Sequence, residues 1–455
     1  MRPEELSRVA EILGGRRIGP DTGLERAVVD SRVARPGDLF FALPGERTDG
    51  HRFAAEASAR RAACVVRETD ALVEGGSAVV VPDPSSALLG LARNERNEVP
   101  WTVVGVTGSV GKTTAKDFLR EIVSTRTRVH ASPRSFNNRI GVPLTILGAP
   151  TGTKVLVCEL GAGRVGDIEE FCGVLRPHIG IVTIVGIAHL ETFGSVRAIA
   201  TAKSELPRAL PNEGIAVLNV DDPAVGAFGE ETSAGLIGYG RSPEADVRAE
   251  EVMLDGTGFA RFVVRWRNAR AEVRLPVPGA HMLTPALAAI AAGLALGVPL
   301  ETRAAAVEIA RLSPGRMELL RGRNGSRIVD DAYNANPTSV AAALRTLRHM
   351  AREGRAIAVL GEMAELGELA PLEHRRIGSI AAAIGIDVLV TVGAEAGEIA
   401  AAVDEEGPGS CRVHACGSAR EAVTSVGDLR AGDVVLVKGS RIAGLERVVA
   451  ELRTP

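Results

Sequence analysis

The run Gly105-Val-Thr-Gly-Ser-Val-Gly-Lys-Thr-Thr114 holds the residue types that bind a triphosphate. Thr107, Gly108, Ser109, Val110 and Gly111 can turn backbone N–H groups toward an anion. Lys112 can reach the outer phosphates, and the Thr113 hydroxyl, with Thr114 beside it, can face Mg²⁺. That is the chemistry of an ATP site. Strict phosphate-loop spacing wants glycine at 106, where this chain has Val106 bracketed by Gly105 and Gly108, so the loop is a variant. Glu159 ends the apolar run Val155-Leu-Val-Cys-Glu-Leu160. A carboxylate at the C-terminal end of a core strand beside such a loop holds Mg²⁺ or orients water. His189 follows the β-branched run Ile179–Val185 and emerges at the same sheet edge if the strands are parallel. An unmodified Lys203 ammonium would repel Mg²⁺, whereas a lysine carbamate formed with CO₂ would be an anion able to ligate it.

Lysine usage sharpens the choice. Only Lys112, Lys116, Lys154, Lys203 and Lys438 occur, and arginine supplies the rest of the 53 basic residues. A chain that otherwise writes arginine keeps lysine where a compact ammonium or a deprotonatable amine is needed. Lys203 and Lys438 are therefore functional candidates, while Lys116 and Lys154 read as solvated surface.

The elements that must position these groups are legible as alternating apolar runs and helical patterns, an α/β architecture in three domains. Residues 1–97 form a small α/β domain, with a helix over 3–13, strands at 27–29, 39–43, 63–66 and 78–81, and a helix over 52–62. Asp30-Ser-Arg32 and Thr48-Asp-Gly-His51 fall at strand ends or turns, where ligand contacts concentrate. Residues 98–312 form a central domain with a parallel sheet of the phosphate-loop NTPase kind. A strand over 101–106 leads to a helix over 115–124. Ser195 N-caps a helix over 196–206 that carries Lys203, a strand over 214–222 ends in polar groups, and antiparallel hairpins fill 247–275. Thr284-Pro285 opens an Ala/Leu helix, with threonine as the N-cap. Ser313-Pro-Gly315 is a linker, and residues 313–455 form a third, Rossmann-like unit with strands at 327–329, 356–360, 388–392 and 434–437.

Composition bounds the function. Net charge is −3 with no basic block, which argues against nucleic-acid binding. No apolar run of about 18 residues and no apolar signal core occur, which points away from the membrane and to the cytoplasm. The five cysteines lack metal-site spacing and read as buried free thiols.

Taken together these residues resemble the Mur ligases, ATP-dependent amino-acid-adding enzymes of bacterial cell-wall precursor synthesis. Thr107–Thr114, Glu159, His189 and Ala202-Lys203 resemble the family's nucleotide and metal set. The resemblance implies ATP, two Mg²⁺ ions and a carbamylated Lys203, with Arg316 and Asp331 as nucleotide contacts from the third domain. Within the family, four stretches look like the ligase that adds D-alanyl-D-alanine to UDP-N-acetylmuramoyl-tripeptide. They are Thr48–Phe53, Ser135–Pro143, Asp330–Pro337 and Leu360–Glu368. By that resemblance, Ser31, Arg32, Asp49, Gly50 and His51 meet the UDP-sugar, and Asn137 and Asn138 meet the substrate in the central cleft. Tyr333, Asn334 and Asn336 lie near the incoming dipeptide. The implied reaction passes through an acyl phosphate, completes its site by domain closure and is carried out by a monomer. One departure stands out: where the family has His-Asn-x-x-Asn, this chain reads His281-Met-Leu-Thr-Pro285, without the asparagine that usually helps read adenine. Another amide ligase of the same architecture, or a nucleotide-gated scaffold without catalysis, would share much of this pattern.

Overall fold

The computed structural model describes residues 1–45, 48–67, 75–405 and 411–454. Continuous Val/Ile/Leu runs become strands buried on both faces, as parallel sheets covered by helices require. Among the described residues they form a five-stranded, a nine-stranded and a six-stranded sheet, with a two-stranded ribbon near the N-terminus. The three-domain α/β reading therefore holds.

The nine-stranded sheet positions the chemistry. Its phosphate-loop strand, Thr102–Thr107, lies between Val155–Glu159 and Ile179–Val182, parallel to both. Register places Glu159 and Ile181 on either side of Val106. Three strand ends thus open at one edge, where the ligands of open α/β sheets bind. Beyond Ile215–Asn219 and Gly235–Gly240 the sheet turns antiparallel through Val247–Leu254, Phe259–Trp266 and Ala269–Pro278. These are the hairpins expected near 247–275.

Val106 and Gly105 belong to the strand, which runs one residue past the expected end. Gly105 is thus a packing glycine rather than a loop glycine, because a Cβ there would meet Leu206 Cδ1 at 2.9 Å. The following helix, Lys112–Ser124, starts three residues earlier than its apolar pattern suggests. Its face of Ala115, Phe118, Leu119 and Ile122 is fully buried. Burying a side chain such as Phe118 stabilises by about 1.5–3 kcal/mol. The alanine-rich helix Leu283–Ala295 packs along it, and a Cβ at Gly293 would lie 2.8 Å from Ile122 Cγ2. Thr284 lies inside that helix and does not cap it. A 3₁₀ turn, Ala280–Met282, leads in and leaves the start without a side-chain cap.

In the first unit the helix expected over 52–62 is a 3₁₀ turn, Gly50–Phe53, followed by the helix Ala54–Ala59. In the third unit the four expected strands are present, joined by Glu318–Arg321 and Arg412–Cys416 at the two edges. The linker is tied to the central unit: Ser313 N donates to Asp117 Oδ2 at 2.7 Å, and Arg120 Nη2 donates to Arg311 O at 2.9 Å. Lys154 is exposed, as expected. Lys116 is not. It is 1% exposed, and its Nζ donates to Ser132 O and Arg134 O at 2.8 and 2.6 Å beside Asp117. Those carbonyls belong to the loop that carries Ser135 and Asn137, so this lysine fixes the loop to the phosphate-binding helix. All five cysteines are free thiols, and no described helix is long and apolar enough to cross a membrane.

Candidate active site

The phosphate loop is built by two glycines with backbone angles that other residues resist. Gly108 has φ +138°, and a Cβ there would lie 2.0 Å from Thr183 Oγ1. Gly111 has φ +86° and precedes the first turn of the Lys112–Ser124 helix. No side chain caps that turn, so its amides remain available to an anion. Ser109 laces the loop to the chain leading to His189. Its N–H donates to Ile184 O at 2.7 Å, its hydroxyl donates to Gly186 O at 2.9 Å, and it accepts from Gly186 N at 3.0 Å.

A cavity of about 390 Å³ opens over this loop. Its walls bring together Ser109–Thr114, Asn137, Glu159 and His189 from the central unit with Arg316, Asp331, Tyr333, Asn334 and Asn336 from beyond the linker. Glu159 is 1% exposed and holds both neighbours: Thr113 Oγ1 donates to Oε2 at 2.7 Å, and Asn137 Nδ2 donates to Oε1 at 2.8 Å. Arg316 Nη2 donates to Thr113 Oγ1 at 2.9 Å, while its buried Nε finds no acceptor within the described protein. A guanidinium that reaches the loop through Nη2 and lines the cavity suits an incoming anion.

Lys112 Nζ donates to Gly108 O at 2.6 Å. Enclosure lowers its pKa, which the Glu159 charge partly restores. Lys203 is 2% exposed, and burial, reinforced by the Lys112 charge, lowers its pKa to about 7. Much of it is then the free amine at neutral pH, the form that adds CO₂. Lys203 does not line the cavity; it sits behind it, within electrostatic reach of Lys112. On the opposite wall the buried Lys438 Nζ donates to the buried Asp331 Oδ2 at 2.6 Å and to Asn334 O at 2.9 Å. His281 is kept neutral by burial, which lowers its pKa to about 4, and burial raises Asp330 to about 6.

The fit to Mg²⁺ follows from these donors. Thr113 and Glu159 offer hard oxygens, and Mg²⁺ is held by one or two carboxylates plus phosphates and water rather than by a protein cage. No group of three or more His, Cys, Asp or Glu that could hold a metal ion gathers among the described residues.

The remaining expected site residues lie outside the cavity wall. Thr107 and Gly108 shape the loop from beneath, with Thr107 Oγ1 donating to Leu160 O at 2.9 Å. Asn138 is engaged elsewhere, its Oδ1 accepting from Ile140 N and Gly141 N at the start of a helix. Ser31, Arg32, Asp49, Gly50 and His51 lie in the first unit, outside this cavity. Ser31 Oγ donates to Glu56 Oε2 at 2.8 Å, and Arg32 pairs with Asp30. His51 Nδ1 meets Asp49 Oδ1 at 2.6 Å, and His51 Nε2 accepts from Arg67 N at 3.0 Å. The carboxyl of Asp49 falls to about 2, chiefly through hydrogen bonds from His51.

Sequence reasoning missed Glu365. It pairs with His189 Nδ1 at 2.5 Å, and its carbonyl accepts from Glu191 N at 3.2 Å. Its carboxyl pKa is lowered by the His189 hydrogen bond. Left-handed turns at Glu365 (φ +64°) and Gly367 (φ +56°) press this loop of the third unit onto the helix Leu190–Phe193. The stretch Leu360–Glu368 had been singled out, but nothing in it names which carboxylate faces histidine. Met282 and Pro285 line the cavity, whereas Thr284 lines a neighbouring one of about 250 Å³ with Asn219 and Asp221.

Three family models match in sequence: the Mur ligase family catalytic domain over residues 27–99, the Mur ligase middle domain over 106–293, and the Mur ligase glutamate ligase domain over 315–441. The chain is 39% identical to the UDP-N-acetylmuramoyl-tripeptide–D-alanyl-D-alanine ligase of Mycobacterium tuberculosis, the match covering 98% of this chain and 97% of that one. It is 38% identical to the ligase of that name from Mycobacterium leprae, over 97% and 96%. Among solved structures, a crystal structure of MurF from Acinetobacter baumannii superposes with a TM-score of 0.88 at 31% identity, covering 99% of this chain and 98% of that one. A glycine-bounded loop opening a helix, a carboxylate at the end of the adjacent strand, a histidine on the connection that follows the other neighbouring strand, and a third unit bringing an arginine to the loop are thus found in a chain that belongs to the Mur ligase family.

Proposed function

We propose that this protein is the ATP-dependent ligase that joins D-alanyl-D-alanine to UDP-N-acetylmuramoyl-tripeptide, giving the UDP-pentapeptide precursor of peptidoglycan. The observation that carries the reading is the single cavity in which Lys112, Thr113 and Glu159 face Arg316, Asp331 and Tyr333. A carboxylate does not acylate an amine at neutral pH, because oxide would have to leave. ATP removes that obstacle. The tripeptide's terminal carboxylate oxygen bonds to the γ-phosphorus as the bond to the β-phosphate oxygen breaks, giving an acyl phosphate and ADP. The dipeptide amine then bonds to the acyl carbon, phosphate leaves with the C–O electron pair, and the amine gives up a proton.

An anionic acid must approach an anionic phosphate, so positive charge has to stand between them. Lys112, the amides of the first helical turn and Arg316 supply it from this chain. Mg²⁺ held by Thr113 and Glu159 would draw further charge from the phosphate oxygens, and a second ion would be held by His189 and a Lys203 carbamate. The UDP-sugar lies against Ser31, Arg32 and the Asp49–His51 turn, with Asn137 and Asn138 toward the tripeptide. Asn334 and Asn336 flank the acceptor. The working form is a cytoplasmic monomer whose first and second units meet near residue 97 and whose third begins near 313.

The assay is ADP release with UDP-tripeptide, offered D-alanyl-D-alanine or single amino acids. Ligation of the dipeptide alone supports the reading, and ligation of a single amino acid in its place would refute it. Glu365 gives a further prediction. Removing its charge in Glu365→Gln loosens His189, and partners of metal-binding groups are worth about 10–100-fold in metal affinity or activity. A Mg²⁺ titration of ADP release should shift to higher concentration, and an unmoved titration would count against it.

A further inference from the structure

Tyr333 carries two guanidinium groups. Arg316 Cζ lies 4.4 Å from the ring centroid, and Arg441 Cζ lies 5.8 Å from it. The Tyr333 hydroxyl meets Ser135 Oγ of the central unit, which holds the ring across the cavity. The two arginines keep different company. Arg316 reaches Thr113 on the phosphate loop. Arg441 is exposed at the mouth of the same cavity, and among the described residues its side chain has no acid and no hydrogen-bond acceptor.

Its backbone is nevertheless fixed. Ser440 donates to Glu362 O from both N and Oγ, at 3.0 and 2.7 Å, and Lys438 is anchored to Asp331 two residues earlier in that chain segment. Ile442 follows, 70% exposed and also lining the cavity. An unpaired guanidinium held over an aromatic ring, with an exposed aliphatic side chain beside it, suits a small ligand with one carboxylate and an adjacent alkyl group. The phosphates need no further cation here, since Lys112, Arg316 and the helix amides already face them.

We propose that Arg441 receives the C-terminal carboxylate of the acceptor dipeptide, with Ile442 against its terminal methyl group. This rests on the functional reading above and adds the subsite that distinguishes an acid-ended acceptor. A hydrogen bond to a charged group contributes about 1.5–3 kcal/mol, so its loss costs roughly 10–150-fold in kcat/KM.

The experiment compares D-alanyl-D-alanine with D-alanyl-D-alaninamide, which lacks only that charge, in the wild-type protein, Arg441→Gln and Arg441→Lys. The wild type should prefer the acid by about 10–100-fold. R441Q should lose the preference through a higher KM for the acid alone, and R441K should restore part of it through a point charge. KM values for ATP and the UDP-tripeptide should stay at wild-type values. An unchanged acid-to-amide ratio in R441Q, or a rise in the KM for ATP or the UDP-tripeptide instead, would overturn this assignment alone. A wild type that ligates neither acceptor would bring down the functional reading as well.

Discussion

Lys112→Met is expected to lower kcat by about 10³-fold, in the upper range for removing one preorganised charge partner of a transition state. The fold should survive, because Lys112 Nζ is bound only to the carbonyls of Gly108 and Ser109. No acid loses a direct partner on its removal, and the helix behind it keeps the buried face of Phe118, Leu119 and Ile122. The signature is therefore a collapse in ADP formation with thermal unfolding near that of the wild type. Equal losses of activity and stability would mean that the lysine is structural. A loss confined to KM for ATP would mean that the lysine only binds the nucleotide, since a group that acts on developing charge lowers kcat.

Glu159→Gln is the second large effect, and its direction separates charge from shape. Glutamine preserves volume and can still accept from Thr113 or Asn137, but it brings an N–H into a pocket where both carboxylate oxygens already receive donors at 2.7 and 2.8 Å. Two donors then face each other, and the negative charge near Lys112 is lost. We expect kcat to fall by about 10²-fold or more and the Mg²⁺ requirement to rise. Stability should fall as well, because a buried donor left without an acceptor costs about 1–3 kcal/mol. Excess Mg²⁺ should recover part of the activity and none of the stability. Recovery of stability along with activity, or no recovery of activity at all, would contradict the role given to this carboxylate.

Much of this site is written in short stretches of chain. The phosphate loop declares itself through Gly108, Gly111 and Lys112, because left-handed backbone and close approach leave little freedom of residue type there. Glu159 is legible because it ends a continuous apolar run, and His189 because it follows another a few residues on; such runs become parallel strands opening at one edge. Lys438 is marked by the scarcity of lysine alone, and Lys203 by that scarcity together with the family resemblance of Ala202-Lys203. The same scarcity should have marked Lys116, but its helix places it next to charged Asp117, which reads as solvent until the loop 132–137 folds over it.

The misses share a cause. Glu365 meets His189 across 176 positions of chain, and no local pattern encodes that pairing. The edge strand Arg412–Cys416 is only partly buried, so its apolar signal is weak. The start of the Leu283–Ala295 helix is set by a preceding 3₁₀ turn, so the threonine expected to cap it lies two residues past the cap position, Met282. Local chemistry names the donors, and tertiary packing decides which of them face one another.

The most direct test labels the reacting acid itself. UDP-tripeptide carrying ¹⁸O in its terminal carboxylate, turned over with ATP and D-alanyl-D-alanine, should place one ¹⁸O in each inorganic phosphate released, because the carboxylate oxygen bonds to phosphorus before the amine displaces it. Phosphate free of label, with pentapeptide still formed, would contradict the proposal that this cavity activates the acid by phosphoryl transfer.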